Sequence, residues 1–286
     1  MYGSLQELCE LEEASGKPFW KIVQEDDCRE QGITEDVSFG QMRAMYQAMK
    51  NADERYDEKL KSESGLVGTE GKKMMDARAA GNLLCGDFIG KVMEKALKTS
   101  ESNACMKRIV AAPTAGSCGV VPAVFLSLQE EKGYSEEKMV EALFVAAGIG
   151  DVIARRASIS GARGGCQAEI GASSAMAAGA LAWLKSGSSH LITQAAAMAL
   201  KSLLGLVCDP VAGLVEVPCV KRNASGAMNA LCAADMALAG IESAIPADEV
   251  IDAMREIGDL MHKDLRETGK GGLAATATGI AVAERL

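Results

Sequence analysis

Apolar positions in this chain recur at three- and four-residue spacing, and few segments alternate with period two, which predicts an all-α fold. Residues 1–62 read as two or three amphipathic helices. Ser4 caps the first, Gly16-Lys17-Pro18 breaks it, and Gly32 ends a second that begins near Phe19. Between Ile33 and Lys61 the apolar residues Val37, Met42, Met45, Met49 and Leu60 keep helical spacing only in part, amid many charges. The pattern stops at Ser62–Gly71 (SESGLVGTEG), a loop rich in glycine and serine. Helix resumes over Met74–Lys98, and a second glycine-rich stretch, Ala111–Pro122, leads into a buried helix at Ala123–Gln129. The β-branched residues just before that helix leave a short strand open.

Ser135–Ile149 is amphipathic, with Gly148 and Gly150 expected to close it. From Ala157 to Val220 only Arg163, Glu169, Lys185, Lys201, Asp209 and Glu216 are charged, so this segment is expected to be enclosed by the rest of the fold. Helices at Ala224–Ala239 and Ala247–Glu267 follow; the second opens with Pro246 and acidic residues in its first turn. With no repeat and no low-complexity linker, the chain reads as one compact helical domain, 1–286. Its residues 1–62 are the more polar helical region, and 63–286 hold a buried core of small residues.

Composition narrows the function. Of the 286 residues 48% are hydrophobic and only 4% aromatic, which suits closely approaching helices, and the net charge is −9. Such an acidic chain has no Lys/Arg cluster to replace the counterions of a nucleic acid, so that partner is excluded. The N-terminus lacks the basic and apolar regions of a signal peptide, and the longest apolar run, Ile170–Leu184, is too short to span a bilayer. The expectation is a cytoplasmic protein with reduced thiols and no membrane partner. Nine cysteines is an odd count for a disulfide framework, and no C-x-x-C pair of zinc-site type occurs.

Three of the nine, Cys166, Cys208 and Cys219, each lie within two residues of glycine or proline, on turns that can aim their sulfurs at one point. Their spacings, 208 − 166 = 42 and 219 − 208 = 11, are unlike ferredoxin runs. Two readings stand: ordinary buried cysteines, or three thiolates on a metal centre one ligand short, with an iron open to act as a Lewis acid. Cys118, in the second glycine-rich loop, is either a neighbour or a fourth ligand. The loops at Ser64–Gly68 and Pro113–Ser117 offer amides and hydroxyls suited to a carboxylate, or are plain helix connections; neither matches a nucleotide-binding motif. His190 and His262 sit in polar surroundings, and Lys201, within an Ala/Leu-rich helix, is either a base or a snorkelling lysine.

Four stretches together resemble the α chain of iron–sulfur-dependent L-serine dehydratases: PTAGSCGVVP (Pro113–Pro122), SGARGGCQAEIG (Ser160–Gly171), CDPVAGLVEVPC (Cys208–Cys219) and KRNASGAMN (Lys221–Asn229). Ser64–Gly65 and Gly271–Ala274 fit the same family. The resemblance implies a helical catalytic part with a [4Fe–4S] cluster on Cys166, Cys208 and Cys219. It implies a lyase that turns L-serine into pyruvate and ammonia without pyridoxal phosphate. It also implies the two-chain type, with a separate β chain in a hetero-oligomer. Some single-chain members cap the open iron with a C-terminal cysteine; here no cysteine follows Cys232. Loop chemistry and motif position assign the substrate carboxylate to Ser64, Gly65, Thr114 and Gly116. Ser117 and Lys201 are the candidates for the base. A cysteine desulfidase, a threonine dehydratase and a non-catalytic iron–sulfur sensor are the competing readings.

Overall fold

The computed structural model describes residues 2–286 and is all-α: among those residues it holds thirteen α-helices and a single isolated β-bridge. The first three helices, α1 (Leu5–Ser15), α2 (Phe19–Gln31) and α3 (Glu35–Glu54), fall where capping chemistry puts them. The Ser4 hydroxyl accepts the Glu7 amide at 3.0 Å, and Gly16 and Gly32 end their helices in the left-handed region that a glycine enters without a steric cost. Trp20, Phe39 and Phe144 form an aromatic cluster, with centroids 6.1–6.4 Å apart, that ties α2 and α3 to the core.

The 74–98 region is two helices, α4 (Glu70–Ala79) and α5 (Gly86–Ala104), rather than one. Gly81 and Gly86 both take positive φ, and the chain turns between them. Helix α6 (Val120–Lys132) includes the β-branched residues, so no strand forms there: Val120 and Val121 are fully buried on it. Helix α7 runs from Glu136 to Arg156, straight through Gly148 and Gly150. Those glycines are places of close approach, not stops. A Cβ on Gly148 would lie 2.6 Å from a methyl of Val23, and one on Gly150 would lie 2.9 Å from the Met176 sulfur.

After the four-residue α8 (Gly161–Gly164), a π-helical turn (Gln167–Gly171) feeds α9 (Ala172–Ser186). Every residue of α9 from Ala172 to Leu184 is buried, with α6, α7, α10 (Ser189–Lys201) and α11 (Cys219–Leu238) packed around it. Ala and Gly dominate α9, which lets these backbones come close; a Cβ on Gly179 would meet Ile149 at 2.3 Å. Helix α12 (Ala247–Leu260) is shorter than its sequence pattern suggests. Beyond it, residues 261–276 wrap back over the cysteine-bearing turns before α13 (Ala277–Ala283). No helix among the described residues is long and apolar enough to cross a membrane.

Candidate active site

Each of the three cysteines is set by a different local device. Cys166 follows Gly165, whose φ of +73° and contact with Met261 and the Leu206 carbonyl (2.7 and 2.8 Å from a notional Cβ) admit no side chain. The next residue, Gln167, is fully buried and fixes the turn three ways. Its amide donates to Leu206 O at 2.9 Å, its side-chain oxygen accepts from Gly205 N at 2.9 Å, and its side-chain nitrogen donates to Met254 O at 3.0 Å. Cys208 is held by the returning C-terminal segment. Its amide donates to Leu265 O and its carbonyl accepts from Glu267 N, both at 2.8 Å. Cys219 is the first residue of α11, directly after Pro218.

The three side chains lie near one another, close enough for the charge of one to raise the pKa of the next. All are buried, at 3%, 3% and 7% exposure, and each thiolate would feel its neighbours. Burial pushes Cys166 up to about 11, with the Arg222 guanidinium opposing and Glu169 adding to the shift. Burial, then Cys166 and Glu169, carry Cys219 up to about 12. Cys208 rises furthest, through burial and then the charges of Cys166, Glu169, Cys219 and Glu267. Arg222 is the cation of the group. It pairs with the buried Asp209 at 2.9 Å and donates to Val207 O at 2.8 Å; Asp209 in turn accepts the Leu273 amide at 2.9 Å. Cys118 does not join the others: its thiol turns to the Thr99 carbonyl at 3.9 Å.

Glu169 lies at the meeting point. It sits one turn after Cys166, and its carboxylate faces two backbones that lack side chains. A Cβ on Gly116 would lie 3.0 and 3.2 Å from its oxygens; one on Gly161 would lie 3.0 Å from Oε2 and 3.1 Å from the Cys208 sulfur. Burial raises its pKa, the Thr114 hydroxyl draws it back, and Glu267 adds to the rise. Sequence reasoning counted this residue only as one of six charges in an apolar stretch. That rarity, three residues after a cysteine, was the available signal.

The loop residues divide between two faces of the site. Thr114 and Gly116 border Glu169; the Thr114 hydroxyl shares a hydrogen bond with Ser117 at 3.1 Å, closing a capping box on the Ala115–Ser117 turn. Ser64 and Ala115 line a cavity of about 800 Å³ together with Gly213, Leu214 and Glu216. The Ser64 hydroxyl donates to the buried Glu216, which also takes the Ser62 hydroxyl at 2.8 Å, so the first loop is anchored to the Cys208–Cys219 segment. Gly65, at φ +74°, forms the turn beside it, with its amide on Ser62 O at 2.9 Å. Ser117 is wholly buried and committed to its turn. Lys201 stands at the exposed end of α10, bonded to Ser243 at 3.1 Å. His190 and His262 are exposed beside Glu242 and Asp264.

Fold and site together define an all-α domain centred on three buried thiols, one carboxylate and a serine/threonine-bearing turn. By sequence the chain belongs to the serine dehydratase alpha chain family, whose model matches residues 14–274. It is 50% identical to the probable L-serine dehydratase alpha chain of Bacillus subtilis over 258 residues, covering 90% of this chain and 85% of that one. It is 40% identical to the L-serine dehydratase alpha chain of Peptoniphilus asaccharolyticus over 280 residues, 98% and 96% of the two chains. An L-serine dehydratase of Mycobacterium tuberculosis is 45% identical over 184 residues, which is 63% of this chain and 40% of that protein.

Proposed function

We propose that this chain is the catalytic α chain of an L-serine ammonia-lyase that works without pyridoxal phosphate, through a [4Fe–4S] cluster held by Cys166, Cys208 and Cys219. The observation that carries the reading is the convergence of these three buried thiols, from three separate segments, beside the Thr114–Ser117 turn. Their donor chemistry fits such a group. No three His, Cys, Asp or Glu side chains among the described residues could hold a single metal ion. A cubane does not require that, because each of its irons takes its own thiolate. Arg222, next to Cys166, offsets part of the negative charge that three thiolates bring.

When bound, the cluster supplies a Lewis acid for the departing hydroxyl. The chain's own residues bind and orient the amino acid. The amides of Ala115 and Gly116, at the start of their turn, donate to no other group among the described residues and suit a substrate carboxylate, with the Thr114 hydroxyl beside them. Ser64 and Gly65 form the opposite rim, stiffened by Glu216. Holding the substrate there aligns its Cα–H and Cβ–O bonds for loss of water. The resulting aminoacrylate tautomerises to an imine, which water hydrolyses to pyruvate and ammonia. A separate β chain is the proposed partner, in keeping with relatives named as alpha chains.

The test is an absorption spectrum of anaerobically purified protein with and without L-serine, alongside iron and sulfide counts and a pyruvate assay. A charge-transfer band that responds to serine while pyruvate accumulates supports the proposal. A protein that stays colourless after iron–sulfide reconstitution overturns it.

A further inference from the structure

An amino-acid substrate brings a cation as well as a carboxylate and a hydroxyl, and the site contains one carboxylate without a cationic partner. Glu169 is half-buried, and the fully buried carboxylates elsewhere have partners. Asp53 pairs with Lys95 and Lys98 at 2.6 and 2.8 Å, Glu94 pairs with Arg78 at 2.8 Å, and Asp209 pairs with Arg222 at 2.9 Å. Glu216 takes two serine hydroxyls, and Glu101 takes Tyr56 at 2.6 Å with two backbone amides. Glu169 has no Lys, Arg or His within ion-pair distance among the described residues. Its closest charged company is Glu267 and the cysteines, all of the same sign when ionised. A half-buried carboxylate whose nearest cation, Arg222, is already paired with Asp209 is unfavourable unless another cation arrives.

We propose that Glu169 is the receptor for the α-ammonium group of the substrate, and so the residue that selects an amino acid over the corresponding hydroxy acid. The geometry supplies the space. Gly116 and Gly161 leave the carboxylate bare on the sides where any side chain would press against it. Gly116 also belongs to the turn whose amides suit the substrate carboxylate, and the Gly161 side adjoins the Cys208 sulfur. An α-amino acid lying between that turn and the thiols would carry its ammonium group past Glu169. The ion pair would form as water is expelled, where a charge-assisted hydrogen bond is strong. Thr114 then orients the carboxylate rather than the substrate alone.

This inference rests on the dehydratase reading, and its test separates the two. Glu169→Gln keeps the shape and removes the charge. In the full chain, binding of L-serine and of L-glycerate, which replaces the ammonium group by a hydroxyl, is measured by calorimetry, and KM is measured on the cluster-loaded enzyme. Removing one partner of a buried charge pair costs a few kcal/mol, so serine binding and KM are expected to weaken about a hundredfold. Glycerate binding is expected to hold or improve, the cluster spectrum to be unchanged, and Glu169→Asp to recover part of the serine affinity. Equal weakening of both ligands marks a structural role and overturns the inference. So does a loss of kcat at unchanged KM, which would make Glu169 a proton carrier instead. A cluster-loaded wild-type enzyme, assembled with its β chain, that binds serine without making pyruvate would refute the dehydratase reading and leave the ammonium receptor standing.

Discussion

The side-chain nitrogen of Asn223 donates to the carbonyl of Gly116 at 2.8 Å, across more than a hundred residues of sequence. The same amide also donates to Cys219 O at 3.0 Å, and its oxygen accepts the Gly119 amide at 2.8 Å. One fully buried residue therefore fixes the distance between the anion-suited turn and a thiol. Asn223→Ala removes three hydrogen bonds to buried backbone groups. It is expected to lower stability by about 3 kcal/mol, read as a fall in the urea midpoint at constant slope. Asn223→Asp should be worse than the loss of two donors alone suggests, because its second oxygen would face two carbonyls.

Cys166→Ser, Cys208→Ser and Cys219→Ser are each expected to abolish the charge-transfer band and lower the iron count. Cys232→Ser, at an exposed position on α11, should leave both intact. Anaerobic reconstitution followed by iron and sulfide analysis checks this, and a band that survives in any of the three would remove that thiol from the ligand set.

Thr114→Val removes the hydroxyl that both closes the turn with Ser117 and approaches Glu169. The loss of one charge-assisted hydrogen bond, about 1.5–3 kcal/mol, corresponds to a rise in KM for L-serine of about tenfold or more. Thr114→Ser should restore most of it. An unchanged KM would take Thr114 out of the site.

Glu101 accepts the backbone amides of Glu70 and Gly71 beneath the first loop, and the two carboxyl groups act on each other's titration. Burial, then the hydrogen bond with Glu70, raises Glu101 to about 7. Burial opposes ionisation of Glu70, yet bonds from Glu101, the Gly68 amide and Lys221 bring it to about 2. Between those values the folded chain keeps a proton on Glu101 that the unfolded chain releases above the ordinary carboxylate range. The stability it confers is present at low pH and is lost as pH rises through about 7; the Glu70 contribution runs the other way, lost as pH falls through about 2. Urea midpoints measured from pH 5 to pH 8 should fall in the wild type and stay flatter in Glu101→Gln.

Helix starts were legible where they rest on local chemistry: Ser4 caps α1 as its context suggests, and the amphipathic segment that opens at Ser135 is α7, capped by that serine. The glycines within α7 were not, because what they accommodate is a partner far away in the sequence. Gly148 faces Val23 and Gly150 faces Met176, and only the assembled bundle shows it. The site divides in the same way. Turn formers marked the three cysteines, and family motifs marked the loops. The engagements of Asn223, Arg222 and Glu216 were invisible, since a lone polar residue gives no sign of which carbonyl, amide or carboxylate it will meet. Glu169 showed only its isolation among apolar neighbours, while its lack of a counter-ion is a property of the fold.

The two backbone bonds that flank Cys208 come from Leu265 and Glu267, in the segment that wraps back after α12. During synthesis that segment emerges after Cys166, Cys208 and Cys219 themselves. A nascent chain thus carries all three thiols well before the last strut that fixes the middle one is available. The backbone around Cys208 can take its final geometry only once residues 265–267 have been made. The frame of the middle thiol is thereby timed by synthesis of this segment, and a chain that stops before residue 265 presents all three sulfurs without it.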